Sequence, residues 1–439
     1  MANSVDIITL GCSKNLVDTE QLMRLLETNG YTVNHDPEQS NARIVIINTC
    51  AFIGDAKEES IEMILNFARK RKQHKIDKLF VMGCLSQRYF DELKQEIPEV
   101  DKFYGKFDFR SIVSDLQVAS TVSAIETENI LPFERIITTP RHYAYLKISE
   151  GCNRTCSFCA IPLITGKYKS RSIEEIEQEV AWLVQQGVKE FQVIAQDLSF
   201  YGLDIYKKLS LADLLARISD IRGVEWLRLH YAYPANFPYD ILPLMRERSN
   251  ICAYLDIALQ HISDKMLKLM RRNISSRETC QLLEKIRQEV PNIHLRTTLM
   301  VGHPQETQQD FEELKNFVKN MRFERMGAFA YSHEEGTYAY KHYQDDVPEN
   351  VKQQRLNELM SIQEQISTEI NAEKIGKTFR VIIDREDTGF YIGRTEFDSP
   401  EVDNEVLIEK KNKKLIVGNF YQVLITGAEA FDLYGEIGN

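Results

Sequence analysis

Strand-like and helix-like segments alternate along most of the chain, and this rhythm constrains its fold more than any other feature of the 439 residues. Residues 5–10, 43–48 and 78–82 are short apolar runs, and helical patterns at 17–29 and 56–70 lie between them. Strand, helix and strand in succession imply parallel strands joined by right-handed crossovers. Residues 3–119 are therefore expected to form an open parallel α/β sheet. Six further strand-like runs follow, at 143–148, 190–195, 226–230, 254–259, 294–301 and 326–331. Ser172-Ile173-Glu174-Glu175 reads as a capping box that opens the first intervening helix, and Gly187 as its close. A later helix is expected to open near Glu306-Thr307. Six βα units in a row predict a partial (β/α)6 TIM-like barrel over residues 138–369. Past a long helix at 351–373, the runs at 377–383, 391–395, 405–408 and 421–426 are short and glycine-punctuated. They predict a small antiparallel β-barrel over residues 372–439.

Composition narrows the class. With 43% apolar and 27% charged residues, the chain has enough material for buried cores. No apolar run approaches the roughly 18 residues of a membrane helix. Met1-Ala2-Asn3-Ser4-Val5-Asp6 lacks the basic and apolar stretches of a signal peptide. The expected location is the cytosol, with no membrane partner. A net charge of −11 argues against a general DNA or RNA binder and permits a basic protein partner. The basic run Arg69-Lys70-Arg71-Lys72 reads as a solvated helix end in preference to an RNA contact.

Eight cysteines in a reducing compartment call for an explanation other than disulfides. Cys152, Cys156 and Cys159 form a C-x3-C-x2-C run directly after the first barrel strand. Three thiolates on one tight loop suit a [4Fe-4S] cluster with one iron left open. No fourth Cys or His lies nearby for zinc. In βα barrels the C-terminal ends of strands carry the chemistry, and the loop sits at such an end. Cys12, Cys50 and Cys84 also follow strands, at intervals of 38 and 34 residues. In a parallel sheet all three would meet at one carboxyl edge, where helix N-termini favour thiolates. This spacing points to a second metal cluster, with core packing as the alternative. Cys252 and Cys280 share no pattern and read as structural.

These residues carry a resemblance. The C-x3-C-x2-C loop resembles that of the radical S-adenosylmethionine superfamily. Leu10-Gly11-Cys12-Ser13-Lys14-Asn15, Asn48-Thr49-Cys50-Ala51-Phe52-Ile53 and Gly83-Cys84-Leu85 resemble the N-terminal domain of methylthiotransferases, and the C-terminal barrel resembles a TRAM domain. Lys147-Ile148-Ser149-Glu150-Gly151-Cys152, Leu259-Gln260-His261-Ile262-Ser263-Asp264 and Tyr331-Ser332-His333-Glu334-Glu335-Gly336-Thr337 are similar to the RimO-type subgroup, which acts on ribosomal protein S-twelve. Two departures stand out. Gly302-His303-Pro304-Gln305-Glu306-Thr307 replaces the family's Gly-Phe-Pro-Gly-Glu-Thr, and Ala258 stands where proline is usual.

The resemblance implies two [4Fe-4S] clusters sharing one cavity. One, on Cys152, Cys156 and Cys159, would bind S-adenosylmethionine and cleave it reductively to a 5′-deoxyadenosyl radical. That radical would take hydrogen from the β-carbon of an aspartate in ribosomal protein S-twelve, free or on the small subunit. The other, on Cys12, Cys50 and Cys84, would present the sulfur that a second S-adenosylmethionine methylates. An external electron donor is implied, and the residues do not identify the sulfur source. Phe158 is a candidate to flank the adenine, or a packing residue. Gln196, Gln260 and His261, at strand ends facing the reactive rim, are candidates for a site role, Gln196 and Gln260 as cofactor contacts, with simple capping as the alternative. Arg171 and Arg296 are candidates to pair with a carboxylate of cofactor or substrate, or to form structural salt bridges. Glu306 is a candidate cofactor contact or a first-turn helix residue. Two other readings stay open: the same chemistry on tRNA adenosine, and a non-catalytic iron–sulfur module that binds RNA or the ribosome. Residues 371–439 contain 13 acidic and 9 basic residues, a balance that favours a basic protein over tRNA.

Overall fold

The computed structural model describes residues 3–117, 131, 133–410 and 414–438. The expected domain limits at 119 and 439, and the opening Met1-Ala2, lie outside the described residues. The chain divides into two compact units. One contains Met1–Thr138 with Glu150–Asn153 and Ala160–Tyr168; the other contains Thr139–Ser149, Arg154–Cys159 and Lys169–Asn439.

The first unit is built on a five-stranded sheet whose pairings are all parallel. In spatial order its strands are Thr32–His35, Ser4–Thr9, Ile44–Thr49, Lys78–Gly83 and Lys102–Phe103. Both faces are covered. Val45, Ile47, Leu79 and Val81 join one apolar core, while the alternating Ile44, Ile46, Phe80 and Met82 join another. Burial on two sides is why these strands read as unbroken apolar runs. Thr32–His35 and Lys102–Phe103 were not expected from the sequence. The first is polar, TVNH, and the second spans only two residues, so neither carries a usable periodicity.

The second unit begins with six parallel strands in chain order: Tyr143–Lys147, Glu190–Ile194, Trp226–Ala232, Ile251–Gln260, His294–Val301 and Arg325–Ala330. Helices Ile173–Gln185 and Gln308–Met321 begin where the caps predict, at Ser172 and Thr307. Ser172 accepts from the Glu175 N–H, and Thr307 with Asp310 forms a reciprocal capping box. The long helix is Glu349–Ala372. It leads to a closed five-stranded barrel of Thr378–Asp387, Phe390–Thr395, Glu405–Glu409, Phe420–Ala428 and Asp432–Ile437. This barrel is not purely antiparallel, because Glu405–Glu409 pairs in parallel with Asp432–Ile437. Closure requires that last strand, which the sequence pattern did not mark.

The small barrel is joined to the first ends of the large barrel's strands through buried charge. Glu190 accepts from Arg394 Nη2 at 2.7 Å and Arg228 Nη2 at 3.0 Å. Arg394 Nε reaches Asp384 at 2.6 Å, and Asp384 also meets His142 at 2.8 Å. Asp398 pairs with Arg325, and Asp403 with Arg296 at 2.5 Å. Burial alone would raise the pKa of Glu190, Asp384 and Asp398. The neighbouring Arg394, Arg228 and Arg325 outweigh it, and all three carboxyls lie below their ordinary values. A depressed carboxylate stabilises the fold above its unfolded pKa and ceases to do so as pH falls through the folded value. Thermal melting is therefore expected to lose this contribution only below about pH 4, the ordinary carboxylate range. A Tm that declines steadily between neutral pH and 5 would contradict this.

Among the described residues no helix is long and apolar enough to cross a membrane.

Candidate active site

In the first unit, Cys12, Cys50 and Cys84 each follow a strand at the carboxyl edge of the sheet. Cys12 caps helix Ser13–Thr28, Cys50 follows Thr49, and Cys84 opens helix Cys84–Arg88. Gly11 has φ +94°, and a Cβ there would lie 2.8 Å from Cys50 Sγ. Only glycine lets the Leu10-Gly11-Cys12 turn approach Cys50 this closely. Gly11→Ala is expected to cost about 1–3 kcal/mol by chemical denaturation, the scale of a backbone forced into such a region. Asn15 braces the same edge. Its Nδ2 donates to Leu10 O at 2.9 Å and Thr49 O at 3.1 Å, and Cys84 Sγ lies 3.5 Å from its Oδ1. Lys106 is buried, 3.4 Å from both Asp18 and Glu150. Burial opposes its charge, but these two carboxylates outweigh the effect and hold its pKa above normal.

At Cys50 and Cys84 burial works against the thiolate that helix ends favour. Burial pushes the Cys84 thiol up to about 12, with Lys106 only partly opposing, and burial also raises Cys50. A helix of five residues supplies little dipole against that desolvation. Among the described residues no three Cys, His, Asp or Glu side chains close around a single metal ion.

Cys152, Cys156 and Cys159 occupy one loop, and each is partly exposed. The loop leaves its strand at Gly151, φ +73°, where a Cβ would strike Lys167 O at 2.2 Å. The Cys152 N–H donates to Gly166 O at 3.2 Å. Further along, Ser157 donates its N–H to Met270 O at 3.0 Å, and its carbonyl accepts from Ala339 N at 2.6 Å. His303 completes this anchor. Its Nδ1 donates to Pro304 O at 3.1 Å, so its Nε2 accepts from the Ser157 hydroxyl at 3.2 Å. Burial lowers the His303 pKa to about 4, so the ring stays neutral.

Cys156 is set among cations. Arg272 Nη1 lies 3.2 Å from its Sγ, and the Tyr233 hydroxyl 3.7 Å. The Tyr233 ring has Arg154 at 4.0 Å and Arg272 at 4.1 Å from its centroid. Arg154 is fixed by Asp197 at 2.7 Å, and Arg272 is buried with an Nη2 donation to Ala258 O. Arg272 thus offers a charged donor to the Cys156 sulfur.

The remaining expected residues separate. Gln260 ends its strand at φ +73°, is buried, and has no hydrogen-bond partner for its Oε1. Gln196 lies just past the end of strand Glu190–Ile194. Phe158 packs with Met266, Met270, Met300 and Tyr331. His261 Nδ1 accepts from Ser263 N, so its Nε2 donates to Glu306 Oε1 at 3.2 Å. Glu306 also accepts from Arg355 at 2.9 Å and from the Gly302 N–H, so its oxygens are used internally. Arg171 is taken up by Glu175 at 2.8 Å and Glu179 at 2.5 Å. Arg296 lies near the start of its strand, bound to Asp403, rather than at the end that leads to Gly302. For both arginines the structure supplies carboxylates of the protein itself, as the salt-bridge alternative has it. Cys252 packs beside Trp226 and Tyr254. Sequence reasoning missed Arg272, Tyr233, His303, Asn15 and Lys106. The Gly302-His303 departure and the Leu10–Asn15 motif were the signals that touched His303 and Asn15, without giving either a role.

Residues 4–105 match an uncharacterized protein family, UPF0004; residues 146–318 match the radical SAM superfamily; and residues 375–437 match a TRAM domain. The chain is 64% identical to a ribosomal protein uS12 methylthiotransferase RimO of Parabacteroides distasonis, covering 100% of this chain and 99% of that one. It is 63% identical to the RimO of Bacteroides thetaiotaomicron, covering 99% and 98%. Among solved structures, the radical S-adenosylmethionine methyltransferase TsrM of Kitasatospora setae is similar in fold, with TM-score 0.55, 15% identity and 75% of each chain covered. The cysteine loop, the fold that carries it and the match along the whole length agree: the chain belongs to the RimO family of radical SAM methylthiotransferases.

Proposed function

We propose that the protein attaches a methylthio group to the β-carbon of an aspartate in ribosomal protein uS12. The observation that carries this reading is the 64% identity, over 100% of the chain, to a relative named for that activity. One [4Fe-4S] cluster would be held by Cys152, Cys156 and Cys159, and a second by Cys12, Cys50 and Cys84. Bound there, the clusters and S-adenosylmethionine supply one-electron cleavage of a carbon–sulfur bond, a sulfur atom and a methyl group, with the electron coming from an external donor.

The chain's own groups suit these tasks. Arg272 Nη1 lies 3.2 Å and the Tyr233 hydroxyl 3.7 Å from Cys156 Sγ, which brackets the middle cysteine of the loop. His303 and Met270 fix Ser157, and so the middle of the ligand loop. The buried Gln260 Oε1 without a partner offers an acceptor for an N–H of a ligand, because leaving it unpaired costs stability. Lys106 supplies positive charge near Cys84 and Cys12. The net negative C-terminal region suits a basic ribosomal protein better than tRNA.

Mass spectrometry of uS12 and of tRNA from cells lacking the protein tests the substrate. The methylthio group should vanish from the uS12 aspartate while tRNA is unchanged. Loss from tRNA with uS12 intact would reject the reading.

A further inference from the structure

At the end of the large barrel where its strands begin, a cavity of about 510 Å³ opens beside the long helix and the small barrel. Arg287, His294, Arg322, Lys374, Lys377 and Phe397 are among the residues that line it. It lies in the second unit alone, and none of its residues belongs to the cysteine loops. Its volume is typical of sites for small organic ligands.

The charges around it do not balance. Four cations line the cavity against two carboxylates, Glu324 and Glu373. Arg287 is matched to Glu324 at 3.1 Å, and Arg322 to Glu369 at 2.6 Å. The nearby Arg325 and Arg296 are taken by Asp398 and Asp403. Lys374 differs. It is only 5% exposed, its ammonium donates to Asn371 Oδ1 at 3.3 Å, and no carboxylate lies within ion-pair distance among the described residues. A buried ammonium carries three donors, and an uncompensated one is costly. Two further buried nitrogens at this site, His294 Nδ1 and Arg287 Nε, have no hydrogen-bond partner. The His294 ring stacks on Phe397, with centroids 4.2 Å apart and planes 23° apart, and Phe379 adds a second aromatic wall.

We infer that this cavity binds a phosphomonoester of roughly mononucleotide size, its phosphate received by Lys374 and Lys377 beside the Arg287 guanidinium. A phosphate answers the positive surplus that Lys374 and Lys377 leave against Glu373, and arginine and lysine donors strengthen on an ionised oxygen. Phe397 and Phe379 provide apolar surface for the organic part.

Calorimetric titration of the reconstituted full-length protein, saturated with S-adenosylmethionine, tests the inference. Adenosine monophosphate and ribose 5-phosphate should both bind, and adenosine should not. Binding of the first alone restricts the ligand to nucleotides. Lys374→Met should weaken binding about tenfold or more, the loss of one charged hydrogen bond, with cleavage of S-adenosylmethionine unchanged. Lys377→Glu, an exposed change at the rim that spares the core, should weaken it in the same direction. No heat with either phosphate, or equal affinity in wild type and Lys377→Glu, would overturn the inference.

Discussion

Cys152→Ala is expected to reduce formation of 5′-deoxyadenosine from S-adenosylmethionine to the level of a protein-free control. A cubane that would be held by three thiolates keeps only two in this variant, so two of its four irons would lack a protein ligand and the cluster would be readily lost. Cys50→Ala is expected to do the opposite: cleavage persists, but uS12 gains no methylthio group. The asymmetry follows from the two proposed cysteine sets, one on the loop after Gly151 and the other on the sheet edge next to Gly11. Chromatography of the nucleoside and mass spectrometry of uS12 read the two steps separately. Full methylthiolation by Cys50→Ala would remove the sulfur-delivery role of the sheet-edge cysteines. Normal 5′-deoxyadenosine from Cys152→Ala would remove the radical role of the loop.

Arg394→Met should produce the largest loss of stability. Arg394 is almost wholly buried and serves two carboxylates, Glu190 at 2.7 Å and Asp384 at 2.6 Å, and donates to Asp398 O at 3.0 Å. Removing it leaves Glu190 with Arg228 and the Gln192 amide, and Asp384 with His142. Breaking a buried pair by deleting one partner typically costs about 3–5 kcal/mol, because the remaining charge stays desolvated. The exposed pair Arg385–Glu405 provides the contrast, with its arginine half exposed. Arg385→Met should cost no more than about 1 kcal/mol. Equal effects of the two substitutions in urea denaturation would show that the buried network does not tie the small barrel to the large one.

Much of this protein is legible in its sequence. Strand His294–Val301 and the helix start at Thr307 agree with the periodic and capping signals, because both depend on residues within a turn or two of each other. The cysteine intervals likewise carry their meaning in chain distance, since one βα unit separates equivalent strand ends. The roles of the charged residues were not legible. Arg296 meets Asp403, more than 100 residues away, and Glu306 is bound by His261 and Arg355 from 45 and 49 residues away. The parallel pairing of Glu405–Glu409 with Asp432–Ile437 and the raised Cys84 thiol depend in the same way on what packs nearby. Periodicity, caps and spacing are local and are written in the order of residues. The partner of a charge and the desolvation of a thiol depend on which distant segments come within a few ångströms, and only the tertiary structure decides that.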